Sequence, residues 1–316
     1  MKIFVAGATG AVGKHLVPLL ISKGHQIVAS TRTAGKTEAL RVLGAEAIVL
    51  DGLNRNAVID AVVTSRPEAI VHQMTALASM RSLKNFDEEF AITNRLRTEG
   101  TEHLIAAAQA AGTRKLVVQS YTGWPNARTG GPVKTEGDPL DPNPPKRMSR
   151  SLAAIRELER MVASANGIQG AVLRYGNFYG PGTAFSPDGE ITRMVRRRQF
   201  PIIGSGAGIW SFIHMDDTAA AALAAIESNA SGVFNIVDDE PAAVSVWLPE
   251  LAKTIDAKPP LRIPAWLGRL IMGESGVSMM TQARGSSNAK AKRVLGWQPI
   301  YPSWRQGFLD SKYSTI

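Results

Sequence analysis

The chain has 316 residues, 44% of them hydrophobic, carries a formal net charge of +9 and contains no cysteine. That size supports a full core, and the missing cysteine excludes disulfides, thiolate catalysis and cysteine-held metals. No run of about 18 apolar residues appears, and strand character from residue 2 leaves no room for a signal peptide, so the expectation is a cytoplasmic protein with no membrane contact and no metal.

In chain order, strands are expected at Ile3–Ala6, Gln26–Ser30, Ala47–Leu50, Ala69–Val71, Lys115–Gln119 and Ala171–Arg174. Helical patterns fall between them, near 11–23, 36–43, 54–65, 86–111 and 149–165. Gly24, Gly44, Gly112 and Gly167 follow helices, where a left-handed cap is expected. This alternation implies an α/β fold, a Rossmann-type doubly wound parallel sheet. From about residue 240 the composition changes: Pro241, Pro249, Pro259, Pro260 and Pro264 appear, with four of the six tryptophans. The expected division is a dinucleotide-binding domain from 1–175 and 211–239, and a smaller C-terminal substrate lobe from 176–210 and 240–316. The loops 123–147 and 176–190 are long enough to be functional.

The densest basic cluster is Arg193, Arg196, Arg197 and Arg198. It lies on a helix whose Ile191, Met194 and Val195 face inward, so a solvated helix face is expected and no nucleic acid.

The most informative stretch is the first turn. A strand ends at Ala6, then Gly7, Gly10 and Gly13 open a helix. Gly7 permits the turn, Gly10 leaves room for a pyrophosphate, and Gly13 lets helix and strand pack closely. Thr9, Ala11 and Val12 complete a cradle whose free N–H groups and positive helix end attract phosphate. Arg32 follows the second strand where an acid would favour NAD, and Lys36 is near. An Arg there suits a 2′-phosphate, so NADP is expected, with NAD the alternative. Asp51-Gly52-Leu53 follows the third strand. Asp51 can accept from an adenine amino group with Leu53 against the ring, or can be a turn residue. Gln73 follows the fourth strand as a further cofactor contact, and His72 is read as a neutral, structural histidine.

These motifs, with Asn94, Lys115–Ser120, the run Leu173 to Gly182, Ile203-Gly204-Ser205-Gly206, Phe212 to Asp217 and Ala291 to Trp297, make the chain resemble the extended short-chain dehydrogenase/reductases, the NAD-dependent epimerase/dehydratase-like family. The resemblance implies a Tyr and, four residues on, a Lys at the start of the helix at 149–165, the Lys tuning the Tyr as proton donor. Alignment on Glu159 puts Ser151 and Ile155 there, and no Tyr-x-x-x-Lys occurs in the chain. The hydroxyl-bearing partner of such a pair falls in Ser120-Tyr121-Thr122. One reading makes Tyr121 an acid/base assisted by Arg150; the other has it pack beneath the cofactor. Nucleotide-sugar enzymes of this type carry a phosphate-clamping Arg where Trp210 stands. Its loss points to a less charged, more apolar small molecule, held by Trp124, Asn177, Phe178, Tyr179 and Trp210. Arg174 could supply charge or form a structural ion pair. His214, Asp216 and Asp217 are expected to cap and orient a helix. A homodimer through the helices at 86–111 and 149–165 is implied by analogy.

Three functions stay open. The first is an NADP-dependent oxidoreductase acting on a carbonyl or alkene with an atypical proton transfer. The others are an epimerase- or dehydratase-like enzyme, and a catalytically silent NADP(H)-sensing regulator.

Overall fold

The computed structural model describes residues 1–77 and 84–313. Seven parallel strands form the central sheet: β1 Lys2–Ala6, β2 Gln26–Thr31, β3 Glu46–Val49, β4 Ala69–His72, β5 Lys115–Tyr121, β6 Gln169–Tyr175 and β7 Gly232–Ile236, in spatial order β7-β6-β5-β4-β1-β2-β3. The order reverses between β1 and β4, the place where a doubly wound sheet opens a crevice for a ligand. Parallel strands covered on both faces read as continuous apolar runs. In β1, Ile3 and Val5 enter one core with Leu16 and Ile213, while Phe4 and Ala6 enter the opposite one with Val58, Leu104 and Leu158.

The helices are α1 Ala11–Ser22, α2 Thr37–Val42, α3 Arg55–Ser65, α4 Phe86–Glu89, α5 Ala91–Arg95, α6 Thr101–Ala111, α7 Ser149–Ala163, α8 Glu190–Arg196, α9 Met215–Glu227, α10 Val244–Thr254, α11 Ala265–Thr281, α12 Ala289–Leu295 and α13 Trp304–Tyr313. The stretch 86–111, expected as one helix, is broken. Between α5 and α6 the turn Leu96–Gly100 winds as a π-helix, where Thr98 donates to the Asn94 carbonyl at 3.0 Å. Such turns recur at functional sites. β7 also escaped the sequence reading, because Gly232 and Asn235 interrupt its short apolar run. Gly112 does close α6 in the left-handed region, at φ 72°.

A second core gathers Phe185, Phe200, Phe212, Trp247, Trp304 and Phe308 over the C-terminal ends of the strands. Asp217, fully buried at the start of α9, accepts from the backbone N–H groups of Ile300 (2.6 Å) and Tyr301 (3.0 Å), tying the C-terminal segment to the sheet domain. Val195 is buried and Ile191 and Met194 are half-buried on α8, so its arginines face outward. No helix among the described residues is long and apolar enough to cross a membrane, and no group of acidic and histidine side chains there could hold a metal.

Candidate cofactor and substrate site

The glycine turn connects β1 to α1. Gly7 has φ 88°, and a Cβ there would lie 2.8 Å from the Gln73 backbone. Gly13 sits so close to the strand that a Cβ would lie 2.4 Å from the Ala8 carbonyl oxygen. Gly10 caps α1 in extended geometry, with no side chain bonded to the first turn and no acid in it. Val12 is buried, Ala11 is exposed, and the Thr9 and Thr31 hydroxyls share a 2.9 Å hydrogen bond that ties the turn to β2. Among the described residues no side chain caps the first N–H groups of α1, as an anion-binding helix end requires.

Arg32 and Lys36 are exposed just beyond β2. Asp51 accepts from the Leu53 N–H at 3.0 Å, so its carboxylate shapes the turn. Gly52 is buried against Met74; a Cβ would lie 2.4 Å from the sulfur. Gln73 is 3% exposed at the end of β4. Its amide faces the Tyr175 hydroxyl, yet neither of its polar atoms makes a hydrogen bond of full geometry. A buried, unsatisfied amide beside a backbone cradle is what a dinucleotide with a polar carboxamide end would complete. The residues present fit such a cofactor.

Next to Gln73, His72 donates from Nε2 to the Leu96 carbonyl (3.1 Å) and accepts at Nδ1 from the Met74 N–H (3.1 Å). Burial lowers its pKa to about 4, so it is neutral and structural.

Tyr121 ends β5 and donates to Asn177 Oδ1 at 2.7 Å. Burial pushes its phenol pKa well up, against the opposing pull of the Arg97 guanidinium. The expected assistance from Arg150 is not what the structure shows. Arg150 turns outward to Glu88 (3.0 Å) and Asp87 (3.7 Å), and the cation beside Tyr121 is Arg97, which sequence reasoning missed. Its one signal was an Arg on the helix face shared with Asn94. Ser120 donates to Glu159 (3.2 Å), and Thr122 shares a 2.6 Å hydrogen bond with Ser286, so both hydroxyls serve the scaffold. Arg174 makes a buried two-pronged ion pair with Glu159, at 2.7 and 2.6 Å. On α7, Ser151 is fully buried, donates to Asp87 (2.6 Å) and accepts from Asn94 (3.0 Å), and Ile155 is buried beside it.

Tyr121, Trp124, Asn177 and Trp210 come together around a cavity of about 30 Å³, closed by Ile209 and Met279. Trp210 donates to the Met279 carbonyl at 2.9 Å. Two of the expected pocket residues lie elsewhere. Tyr179 is fully buried in the second core against Phe212 and Phe308, and Phe178 packs on Tyr175 and the sheet, because the short strand Asn177–Tyr179, paired with Phe212–His214, presents them to the interior. A larger, open cavity of about 450 Å³ lies elsewhere, between Glu136, Val233, Lys290 and Arg293 beside the edge strand β7. His214 caps α9 by accepting from the Asp216 N–H at 3.3 Å.

A switch-point glycine cradle with a cavity beyond the strand ends defines a dinucleotide-binding α/β protein. The model of the NAD dependent epimerase/dehydratase family matches residues 3–237, and the chain belongs to that family. A Streptomyces protein described as 3-diazoavenalumate denitrifying reductase is 45% identical over 97% of this chain and 99% of its own length. Among solved structures, UDP-glucose 4-epimerase of Thermotoga maritima with UDP-glucose superposes with a TM-score of 0.76 at 23% identity, covering 99% of this chain and 98% of that one. A human epimerase family protein with NADPH gives a TM-score of 0.73 at 20% identity, covering 98% of each chain. These two similarities establish the fold. The chain is thus of the extended short-chain dehydrogenase/reductase type, and its relatives include reductases and epimerases.

Proposed function

We propose that the protein is an NADPH-dependent reductase that replaces the diazo group of a small aromatic substrate by hydrogen. The carrying observation is the state of Tyr121. Its proton is committed to Asn177, and burial raises its pKa, which makes it a poor acid at the place where a substrate would stand. Ser151, at the position aligned with the usual donor, is bound to Asp87. A site so built suits a reduction that needs no acid. A bound nicotinamide would supply hydride. At an aryl diazonium, the ring carbon gains a C–H bond while the C–N bond breaks, its electron pair leaving in N₂; charge and atoms balance with no proton consumed. The 45% identical relative, named for a denitrifying reduction of a diazo acid, supports this reading.

The glycine turn and Gln73 would hold the cofactor, and Arg32 with Lys36 would take its 2′-phosphate. Trp124 and Trp210 would orient an aromatic ring and exclude water, which otherwise captures a diazonium ion. The cavity of about 30 Å³ admits a water or two as it stands, so substrate entry requires Trp124 and Met279 to shift. Methionine accommodates such repacking readily.

The test is turnover of 3-diazoavenalumate with NADPH deuterated at nicotinamide C4, in ordinary water. Deuterium is expected at the ring carbon that carried nitrogen, with N₂ evolved. An arene without deuterium overturns the reading. A carbonyl or alkene substrate is the second reading, favoured by the Tyr121 side chain lining the cavity. NADPH binding with no turnover of any of these substrates would indicate a sensing role.

A further inference from the structure

Arg97 lies on the π-helical turn and is 7% exposed. Its guanidinium makes one hydrogen bond among the described residues, donating from Nη1 to Asn94 Oδ1 at 3.3 Å. Glu159, the acid whose field it feels, is already engaged through both oxygens by Arg174. Burial outweighs the pull of Tyr121 and Glu159 and lowers the Arg97 pKa to about 10. A largely buried guanidinium with most of its five donors unused among the described residues is costly unless an anion completes it.

The surroundings narrow that anion. The guanidinium lies 5.7 Å from the Phe90 ring centre. Phe90 stacks on Phe86 at 4.2 Å, Phe86 meets Trp124 edge-on at 5.1 Å, and Trp124 lies over Tyr121 at 6.4 Å. A packed series of aromatic contacts thus links Arg97 to the cavity lined by Tyr121 and Trp124. The dinucleotide's phosphates have their own cradle at the start of α1, and ribose hydroxyls carry no charge to offset a guanidinium.

We propose that Arg97 is the receptor for the carboxylate of an aromatic acid substrate, pairing with it through two parallel N–H···O bonds while the ring rests among Phe90, Tyr121 and Trp124. This rests on the assignment of the Tyr121–Trp124–Asn177 cavity to the substrate. It does not depend on which bond is reduced.

Equilibrium binding tests it separately from turnover. With the protein saturated in NADP⁺, 4-hydroxycinnamate and its uncharged amide are titrated calorimetrically. The acid is expected to bind at least tenfold more tightly. Arg97→Gln is expected to erase that difference, Arg97→Lys to keep part of it, and NADPH affinity to stay within twofold in both, which also shows that the variants fold. Equal binding of acid and amide by the unaltered protein, or no binding of the acid, overturns the proposal. So does an Arg97→Gln variant that weakens NADPH and leaves the preference for the acid intact, which would assign Arg97 to the cofactor.

Discussion

Tyr121 and Asn177 are joined by a 2.7 Å hydrogen bond that ties the end of β5 to the residues just past β6, and Asn177 passes the restraint on by donating to the Ser211 carbonyl at 3.0 Å. The phenol therefore acts as a strut. Tyr121→Phe is expected to cost about 1 kcal/mol of stability and to leave denitrifying turnover within about threefold, with a solvent isotope effect near one. A loss of 100-fold or more, the scale of general acid catalysis, would restore Tyr121 as a proton donor and favour the carbonyl reading.

Cofactor choice is expected to rest on Arg32. Its exposure beyond β2 leaves the guanidinium free to meet a 2′-phosphate. Arg32→Ala should weaken NADPH about tenfold, or ~1.4 kcal/mol, and leave NADH unaffected in fluorescence titrations. Equal losses for both nucleotides would remove Arg32 from that role.

Gly13 has no room for a side chain, since a Cβ would meet the Ala8 carbonyl oxygen at 2.4 Å. Gly13→Ala should lower stability by about 1–3 kcal/mol, the cost of overpacking, and weaken dinucleotide binding as α1 moves off β1. Thermal unfolding with and without NADPH measures both effects.

The Glu159–Arg174 pair joins α7 to β6 with side chains 11% and 6% exposed. Removing one partner strands a buried charge. Glu159→Gln should therefore destabilise the fold by about 3–5 kcal/mol, read as a lower denaturant midpoint, and Arg174→Met in the same background should recover part of the loss.

His72 gives a pH signature. Its folded pKa, about 4, lies below the ordinary value of 6.5, so the unfolded chain takes up the proton first. The stability tied to neutral His72 is complete above pH 6.5 and falls away as pH drops towards 4, by up to about 3 kcal/mol. Denaturant titrations at pH 7, 5.5 and 4.5 should show a flatter decline for His72→Gln than for the unaltered protein.

The sheet, the glycine turn and the presence of Trp124 and Trp210 at one cavity were legible because they depend on local rules: apolar runs, glycine spacing and a substitution at a motif position. Arg150 and Arg97 show where such reading stops. Both are arginines near the expected site, and only the three-dimensional course of the π turn and α7 decides which is buried. Tyr179 failed for a related reason. An aromatic after a strand could face cavity or core, and the second core, which brings Phe212 and the distant Phe308 against it, takes it.

The π turn also sets a phase. It holds one residue more than an α-helical turn would need, and that extra residue lets Asn94 reach Ser151 while Gly100 still packs under Met74. Deleting Thr98 would regularise the helix and keep the faces on either side nearly in phase, while removing the widened turn that carries Arg97. The surplus residue thus sets where Arg97 sits, and its position depends on chain length at this turn as much as on its own identity.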